Sequence, residues 1–256
     1  MKVSIITATY NSEKTIEKAL RSVLNQTHDN IESIIVDGQS RDETEVIVKH
    51  LITQYPSRSI RWHSEQDDGI YDALNKGINM ASGDVIGFVH SDDLLASPDI
   101  LQNMVNIFET ENCDGVYGDL KYVQFNDPER VVRFWKSQAF KSGLLKKGWM
   151  PPHPTVFLGR SVYERLGGFD TTFKIAADYD FLLRLFLTSS FSIHYIPKTI
   201  TLMRLGGVSN RSLKSILNKS KEDYRALKKN KVGGLGALLL KNSSKLSQFW
   251  KRDEKF

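Results

Sequence analysis

Gly83-Asp84-Val85-Ile86-Gly87-Phe88-Val89-His90-Ser91-Asp92-Asp93 is the stretch on which the fold turns. Its apolar run, Val85 to Val89, is too short for a helix and is bounded by turn residues, which reads as a buried strand. The run ends in two adjacent carboxylates, and in an open α/β sheet ligands bind beyond the carboxyl ends of parallel strands. Asp92 and Asp93 have no Lys or Arg beside them in sequence to relieve their repulsion. A divalent cation relieves it, and hard oxygen ligands suit Mg²⁺ or Mn²⁺. The competing reading is a helix N-cap, because the acids precede a helical-looking segment and favour that end.

Upstream of this stretch, strand and helix signals alternate. Val3 to Ala8 is a β-branched run, and Ser12 then caps a helix through about Asn25 whose apolar residues Ile16, Ala19, Leu20, Val23 and Leu24 share one face. Ile31 to Val36 is a second buried strand that ends at Asp37-Gly38-Gln39-Ser40. A helix from Arg41 to about Tyr55 and a weaker strand over Ile60 to His63 complete a β-α-β-α-β order, and Asp72 to Ala81 follows as a short helix. That order implies a parallel sheet with right-handed crossovers. Downstream, Asp99 to Glu111 reads as a helix, Gly115 to Gln124 as a strand, and Val131 to Trp135 as its hairpin partner. Three prolines exclude a helix from Gly148 to Pro154. Thr155 to Leu158 is a strand, Ser161 to Leu166 a helical turn and Asp178 to Thr188 a helix. Ser192 to Ile196 and Thr199 to Arg204 are late strands.

The 256 residues carry a formal net charge of +5, with 40% hydrophobic and 25% charged residues, ordinary for a soluble domain. The charge is uneven. Arg211 to Phe256 holds 13 Lys/Arg and 4 Asp/Glu, a net +9, so residues 1–210 carry −4. An acidic body argues against a nucleic-acid surface. The lone cysteine, Cys113, excludes an intramolecular disulfide framework and fits a reducing compartment. The first residues lack the apolar core of a signal peptide, and no run approaches the ~20 apolar residues of a membrane span. A cytoplasmic location is the expectation. The tail reads as a basic helix from Ser212 to Lys231 with Ile216, Leu217, Tyr224 and Leu227 on an apolar face. It is followed by the apolar Leu235 to Leu240. Two uses are open to it: an anionic membrane surface, which would make the protein peripheral on the inner face of the membrane, or packing on protein. The expected organisation is a catalytic domain over residues 1–210 and a basic helical appendage over 211–256.

Polar segments at Thr7 to Asn11, Asp37 to Ser40, Asp67 to Tyr71 and Ser91 to Asp93 fall at predicted strand ends or nearby loops, and so gather on one rim. No G-x-G-x-x-G follows the first strand and no G-x-x-x-x-G-K-[ST] is present, which argues against dinucleotide and P-loop sites.

The ordered set Val3 to Asn11, Ile35 to Thr44, Asp67 to Gly77, His90 to Asp93, and Gly167-Gly168-Phe169-Asp170 through Ala177-Asp178-Tyr179-Asp180 resembles family 2 glycosyltransferases across roughly residues 1–205. The resemblance implies a GT-A fold: a single mixed, mostly parallel, Rossmann-like sheet flanked by helices. It implies an inverting hexosyl- or N-acetylhexosaminyl-type transfer from a nucleotide sugar, UDP-linked by preference, to a hydroxyl of a glycan or lipid-linked saccharide in surface polysaccharide biosynthesis. Mg²⁺ or Mn²⁺ is the implied cofactor. By position, Thr7 and Tyr10 line the nucleobase pocket, Asp37 contacts the base, and Asp67, Asn75 and Lys76 line the donor cleft. Asp92 matches the ribose-binding acid, Asp93 the metal ligand and Asp178 the base that deprotonates the acceptor. Arg204, ahead of Gly206 to Ser209, has two readings: a place on a flap that closes over the diphosphate, or a solvated Arg before a turn. His153, among its prolines, is a candidate contact to acceptor or diphosphate.

The chain departs from the family pattern in three places. Asp37 is followed by Gly38 where many relatives have a second acid, His90 replaces an Asp or Asn, and Ala177 replaces a Glu beside the base. This leaves Asp180 as a competing base. The Q-x-x-R-W signature of processive relatives is absent, which favours single additions. A catalytically inactive nucleotide-sugar-binding protein and a nucleotidyltransferase are the alternative functions; the latter usually has a Gly-rich basic loop that Thr7 to Ser12 does not supply.

Overall fold

The computed structural model describes residues 1–205 and 213–244. Nine strands form one sheet in the order β3-β2-β1-β4-β8-β6-β9-β5, with β7 paired to β6 outside that path. The strands are β1 (Val3–Thr9), β2 (Ile31–Asp37), β3 (Ser59–Ser64), β4 (Val85–Phe88), β5 (Asp93–Leu95), β6 (Gly115–Gln124), β7 (Asp127–Trp135), β8 (Phe157–Gly159) and β9 (Ile193–Leu205). Helices α1 (Ile16–Leu24), α2 (Thr44–Gln54), α3 (Ile70–Met80) and α4 (Ile100–Glu111) accompany the first half. The second half carries α5 (Arg160–Leu166), α6 (Ala177–Leu187), α7 (Leu213–Lys229) and α8 (Leu235–Ser244).

β1 and β2 are buried at every position, their polar residues included, as strands covered on both faces should be. β1 runs parallel to β2 and β4, and β2 parallel to β3, which sets the ends of β1 and β2 on one rim. The other half is mixed. β8 is antiparallel to β4 and β6, β7 to β6, and β5 to β9, while β6 and β9 run parallel. The sheet is therefore parallel mainly in its N-terminal half.

Two sequence readings change. Asp92 and Asp93 do not cap a helix: Asp93 opens the three-residue strand β5, paired to Met203 of β9, and α4 begins later behind Asp99. The two late strands are one continuous strand, β9. Asp178 lies inside the first turn of α6, whose cap is Ala176.

The tail helices pack on the body. Ala226, Leu227, Val232 and Ala237 are buried in the same core cluster as Phe181 and Leu185 of α6. Glu222 accepts hydrogen bonds from the backbone N–H groups of Lys174, Ile175 and Ala176, just ahead of α6. Leu217, Leu235, Leu239 and Leu240 stay exposed. No helix among the described residues is long and apolar enough to cross a membrane.

Candidate active site

Thr7 lies buried in β1, and Tyr10 projects from the turn that follows it with 60% of its surface exposed. Beside them β2 ends at Asp37. Its buried carboxylate accepts from the Ser40 N–H at 3.0 Å, from the Ser40 hydroxyl, and from the Ser64 hydroxyl at 2.7 Å. Gly38 explains the missing second acid. A Cβ there would stand 2.5 Å from Asp67 Oδ2 and 3.4 Å from the Tyr10 ring. Glycine thus lets Tyr10, Asp37 and Asp67 converge at one spot on the rim.

Asn75 and Lys76 do not join them. The Asn75 amide clamps the backbone of Phe169, donating to its carbonyl and accepting from its N–H, each at 2.8 Å. Lys76 is paired with Glu65 and Asp72 and donates to the Gln66 carbonyl. Their polar atoms hold the loops around the cleft.

The acid pair splits by environment. Asp92 keeps a half-open face. Asp93 is 1% exposed, and neither carboxylate oxygen has a partner. Burial, reinforced by the charge of Asp92, pushes the Asp93 carboxyl well up against the opposing pull of Arg204. Arg204 is itself buried at the end of β9, donating to the carbonyls of Asp92 at 2.6 Å and Thr15 at 3.1 Å. Burial lowers its pKa. It fastens the acid-bearing turn to α1; the flap expected after it, Gly206 to Ser209, lies outside the described residues.

No group of three or more His, Cys, Asp or Glu that could cage a metal occurs among the described residues. A cation that takes most of its ligands from a substrate diphosphate and water, as Mg²⁺ does, needs only one or two protein carboxylates. The accessible Asp92 beside the unpartnered oxygens of Asp93 meets that requirement.

A cleft of about 720 Å³ opens beside this rim, with His90, His153, Tyr71 and Asp178 at its head. Asp178, at the start of α6, accepts from its neighbour's Tyr179 N–H at 2.8 Å. The Tyr71 hydroxyl lies 3.3 Å from Asp178 Oδ1 and donates to the Ile175 carbonyl at 2.7 Å. Burial and the Asp178 charge raise the Tyr71 pKa, so the phenol stays protonated. Tyr71 thus positions Asp178. Asp180 points the other way. It is fully buried and engaged by Arg184, Lys229 and Asn230.

The rings of His90 and His153 lie 6.0 Å apart. Burial lowers the pKa of both, that of His153 to about 4, although Asp178 pulls each the other way. Both imidazoles are neutral near pH 7, and His90 Nδ1 and His153 Nε2 are buried with no protein partner. Two uncommitted ring nitrogens beside a carboxylate suit a polyhydroxylated ligand.

Sequence reasoning missed the far wall of the cleft, which includes Lys219, Asp223 and Lys241 from α7 and α8. The helical periodicity of α7 was readable, but the element it faces was not.

The family model for glycosyl transferase family 2 matches residues 4–167, more than half of the chain. An uncharacterized glycosyltransferase of Mycobacterium tuberculosis is 33% identical over 187 residues, covering 71% of this chain and 68% of that protein. A PGL/p-HBAD biosynthesis glycosyltransferase of Mycobacterium bovis is 31% identical over 209 residues, covering 81% and 78%. In three dimensions the fold is similar to residues 1–349 of S. aureus TarS (TM-score 0.67, 21% identity, 91% of this chain). The match spans only 65% of that TarS fragment, just under two thirds of its length. It is also similar to a mannosyltransferase from Pyrobaculum calidifontis solved with GDP-Man and Mn²⁺ (TM-score 0.69, 20% identity, 97% of this chain and 73% of that one).

Proposed function

The chain belongs to glycosyl transferase family 2 and has the GT-A fold, and we propose from that premise that it is an inverting, metal-dependent transferase. Its donor is a UDP-linked hexose or N-acetylhexosamine, and its acceptor a hydroxyl of a glycan or lipid-linked saccharide in surface polysaccharide biosynthesis. The observation that carries this reading is the position of Asp178, a half-buried carboxylate at the head of a large cleft beside two neutral histidines.

Inversion is one in-line displacement. The acceptor oxygen bonds to the anomeric carbon as the bond from that carbon to the diphosphate breaks, and a single carboxylate must take the hydroxyl proton. Asp178 takes it, held in place by Tyr71 and by the Tyr179 N–H. Thr7, Tyr10, Asp37 and Asp67 form the nucleotide end of the site. Asp93, the expected metal ligand, is buried, so the half-open Asp92, expected at the ribose, would hold Mg²⁺ or Mn²⁺ with Asp93 behind it, and a cation there would offset the charge on the departing diphosphate. Structures of TarS with UDP and with UDP-GlcNAc, and of the mannosyltransferase with GDP-Man and Mn²⁺, support donor and metal of these classes. We further propose residues 1–210 as the catalytic unit and 211–256 as a basic appendage. The exposed leucines of α8 and the basic surface of α7 dock it on the anionic inner face of the membrane.

Calorimetry of UDP and a panel of nucleotide sugars, with and without Mn²⁺, tests the reading on the parent, Asp92→Ala and Asp93→Ala. Metal-dependent UDP binding lost in either variant is the expected result. No nucleotide binding under any condition would remove the transferase reading. Co-sedimentation with anionic liposomes, comparing the full chain with Leu239→Ser, tests the membrane contact; equal binding of the two ends that part.

A further inference from the structure

Asp178 owes its place to the turn ahead of it. Ala176 occupies the cap of α6 and has no side chain that can bond the first N–H groups of the helix, and neither Lys174 nor Ile175 supplies an acceptor. The acceptor comes from α7. Glu222, 46 to 48 residues further along the chain, accepts from the Lys174 N–H through Oε1 at 3.1 Å, and from the Ile175 and Ala176 N–H groups through Oε2 at 2.8 and 3.0 Å.

The Ile175 carbonyl and the Ala176 N–H are the two ends of one planar peptide group. Glu222 holds the N–H end, and the Tyr71 hydroxyl donates to the carbonyl end at 2.7 Å. A phenol has one proton to give. With that proton on the Ile175 carbonyl, the Tyr71 oxygen stands 3.3 Å from Asp178 Oδ1. The direction of a single peptide group therefore sets where Tyr71 stands against Asp178. Burial, reinforced by the charges of Asp178 and Glu222, raises the Tyr71 pKa, so the phenol keeps the proton that makes this bond.

α7 can offer a fixed point because it is itself anchored. Ala226 and Leu227 are buried in the core cluster that holds Phe181 and Leu185 of α6, and Asp223 pairs with Lys241 at 2.7 Å. Arg225 donates to the Thr172 carbonyl and Lys229 to Asp170, so α7 ties down the segment ahead of α6 at several points. Of these contacts, that of Glu222 alone meets the peptide group that Tyr71 uses. A charged acceptor makes the stronger bond, and a carboxylate facing a helix N-terminus gains from the helix dipole as well.

We infer that Glu222 is a positioning residue for the base: from the appendage it fixes the Ile175–Ala176 peptide and, through Tyr71, the carboxylate of Asp178. This rests on the reading of Asp178 as the base. The catalytic unit proposed over residues 1–210 then depends on the appendage for the aim of its base, a role separate from any contact with a membrane.

Turnover is read as UDP released from UDP-glucose, UDP-galactose and UDP-GlcNAc with Mn²⁺, water serving as acceptor and rates counted per folded molecule. UDP affinity is read by calorimetry on the same preparations. Glu222→Ala is expected to lower kcat about 10- to 100-fold, the scale for a displaced catalytic group, with UDP affinity within about twofold of the parent. Glu222→Gln should stay within about threefold of the parent, because its carbonyl can still serve the Ile175 and Ala176 N–H groups. Tyr71→Phe should lose about as much as Glu222→Ala, and the double variant no more than the worse single one, since both act through one peptide group. Asn230→Ala removes a different bond from the same hairpin to α6, Asn230 Nδ2 to Asp180 Oδ1 at 2.9 Å, and should keep kcat within about twofold. Parent-like kcat in Glu222→Ala, losses that multiply in the double variant, or an equal loss in Asn230→Ala would each overturn the inference and leave the transferase reading standing. A parent that releases no UDP from any of the three donors would overturn both.

Discussion

Replacing Glu32 by Gln tests how the parallel half of the sheet is sealed. Glu32 is the second residue of β2, at the end away from the cleft, and is 2% exposed. Its Oε2 accepts from Lys2 Nζ and the Ser82 hydroxyl, each at 2.7 Å; its Oε1 accepts from the Ser4 hydroxyl, the Ser82 N–H at 2.6 Å and the Gly83 N–H at 3.1 Å. Five donors thus converge on one carboxylate and tie β1, β2 and the entry to β4 together. In Gln the carbonyl can keep the Oε1 set, but the amide then faces two donors with a donor. Each lost charge-assisted bond is worth about 1.5–3 kcal/mol. Lys2 can recover water and the Ser82 hydroxyl can turn, so the net cost is about 3 kcal/mol, the scale for breaking a buried pair. Burial alone would raise the Glu32 pKa, but the bonds from Lys2, Ser4 and Ser82 outweigh it and hold the carboxyl at about 2 rather than 4.5. A folded pKa below the unfolded one gives stability that is present above pH 4.5 and lost as pH falls through about 2. Urea denaturation followed by circular dichroism should show a gap of about 3 kcal/mol between parent and variant at pH 7, shrinking by about half or more at pH 3. A gap that does not change over that range, or no gap at pH 7, would refute the assignment of the cost to the charged carboxylate.

The two acids of α6 should separate cleanly. Asp178→Asn is expected to cut kcat by about 10²–10⁴ with UDP affinity unchanged, whereas Asp180→Asn, which breaks a buried cluster with Arg184 and Lys229, should cost about 3 kcal/mol in denaturation. A larger loss of turnover per folded molecule in Asp180→Asn than in Asp178→Asn would reverse the roles. Gly38→Ala puts a methyl 2.5 Å from Asp67 Oδ2 and should weaken UDP binding about tenfold, or about 1.4 kcal/mol, in calorimetry; unchanged affinity would detach Asp67 and Tyr10 from the nucleotide site. His153, with a folded pKa near 4 against 6.5, contributes stability present above pH 6.5 and lost as pH falls through 4, at up to about 1.4 kcal/mol per pH unit. His153→Gln should flatten that part of the stability curve, and an identical slope in parent and variant would show that the imidazole is not held neutral.

What the sequence could show depended on where each residue's partner lies. β1, β2 and β4 are apolar runs closed by turn residues, and their pairing follows from the alternation with helices; the rim carrying Tyr10, Asp37 and Asp67 was therefore readable. β5 was not, because three residues carry no periodicity and its register is set by Met203, more than a hundred residues away. The same distance hid the character of the acid pair. Adjacent aspartates look equivalent in sequence, yet the strand alternation that begins at Asp93 turns its carboxylate inward and leaves Asp92 on the rim. Asn75 and Lys76 stand in a motif-like run, but amide and ammonium groups are as useful for bonding a loop's backbone as for binding a ligand, and only the position of Phe169 and Gln66 decides between the two. The tail makes the point most directly. Its helical period was visible, and a basic amphipathic helix suggests a lipid surface when considered alone. Glu222 and Leu227 meet α6 and the segment before it, while Leu235, Leu239 and Leu240 face outward. One helical hairpin therefore presents one face to the cleft that Asp178 also lines and another to its surroundings.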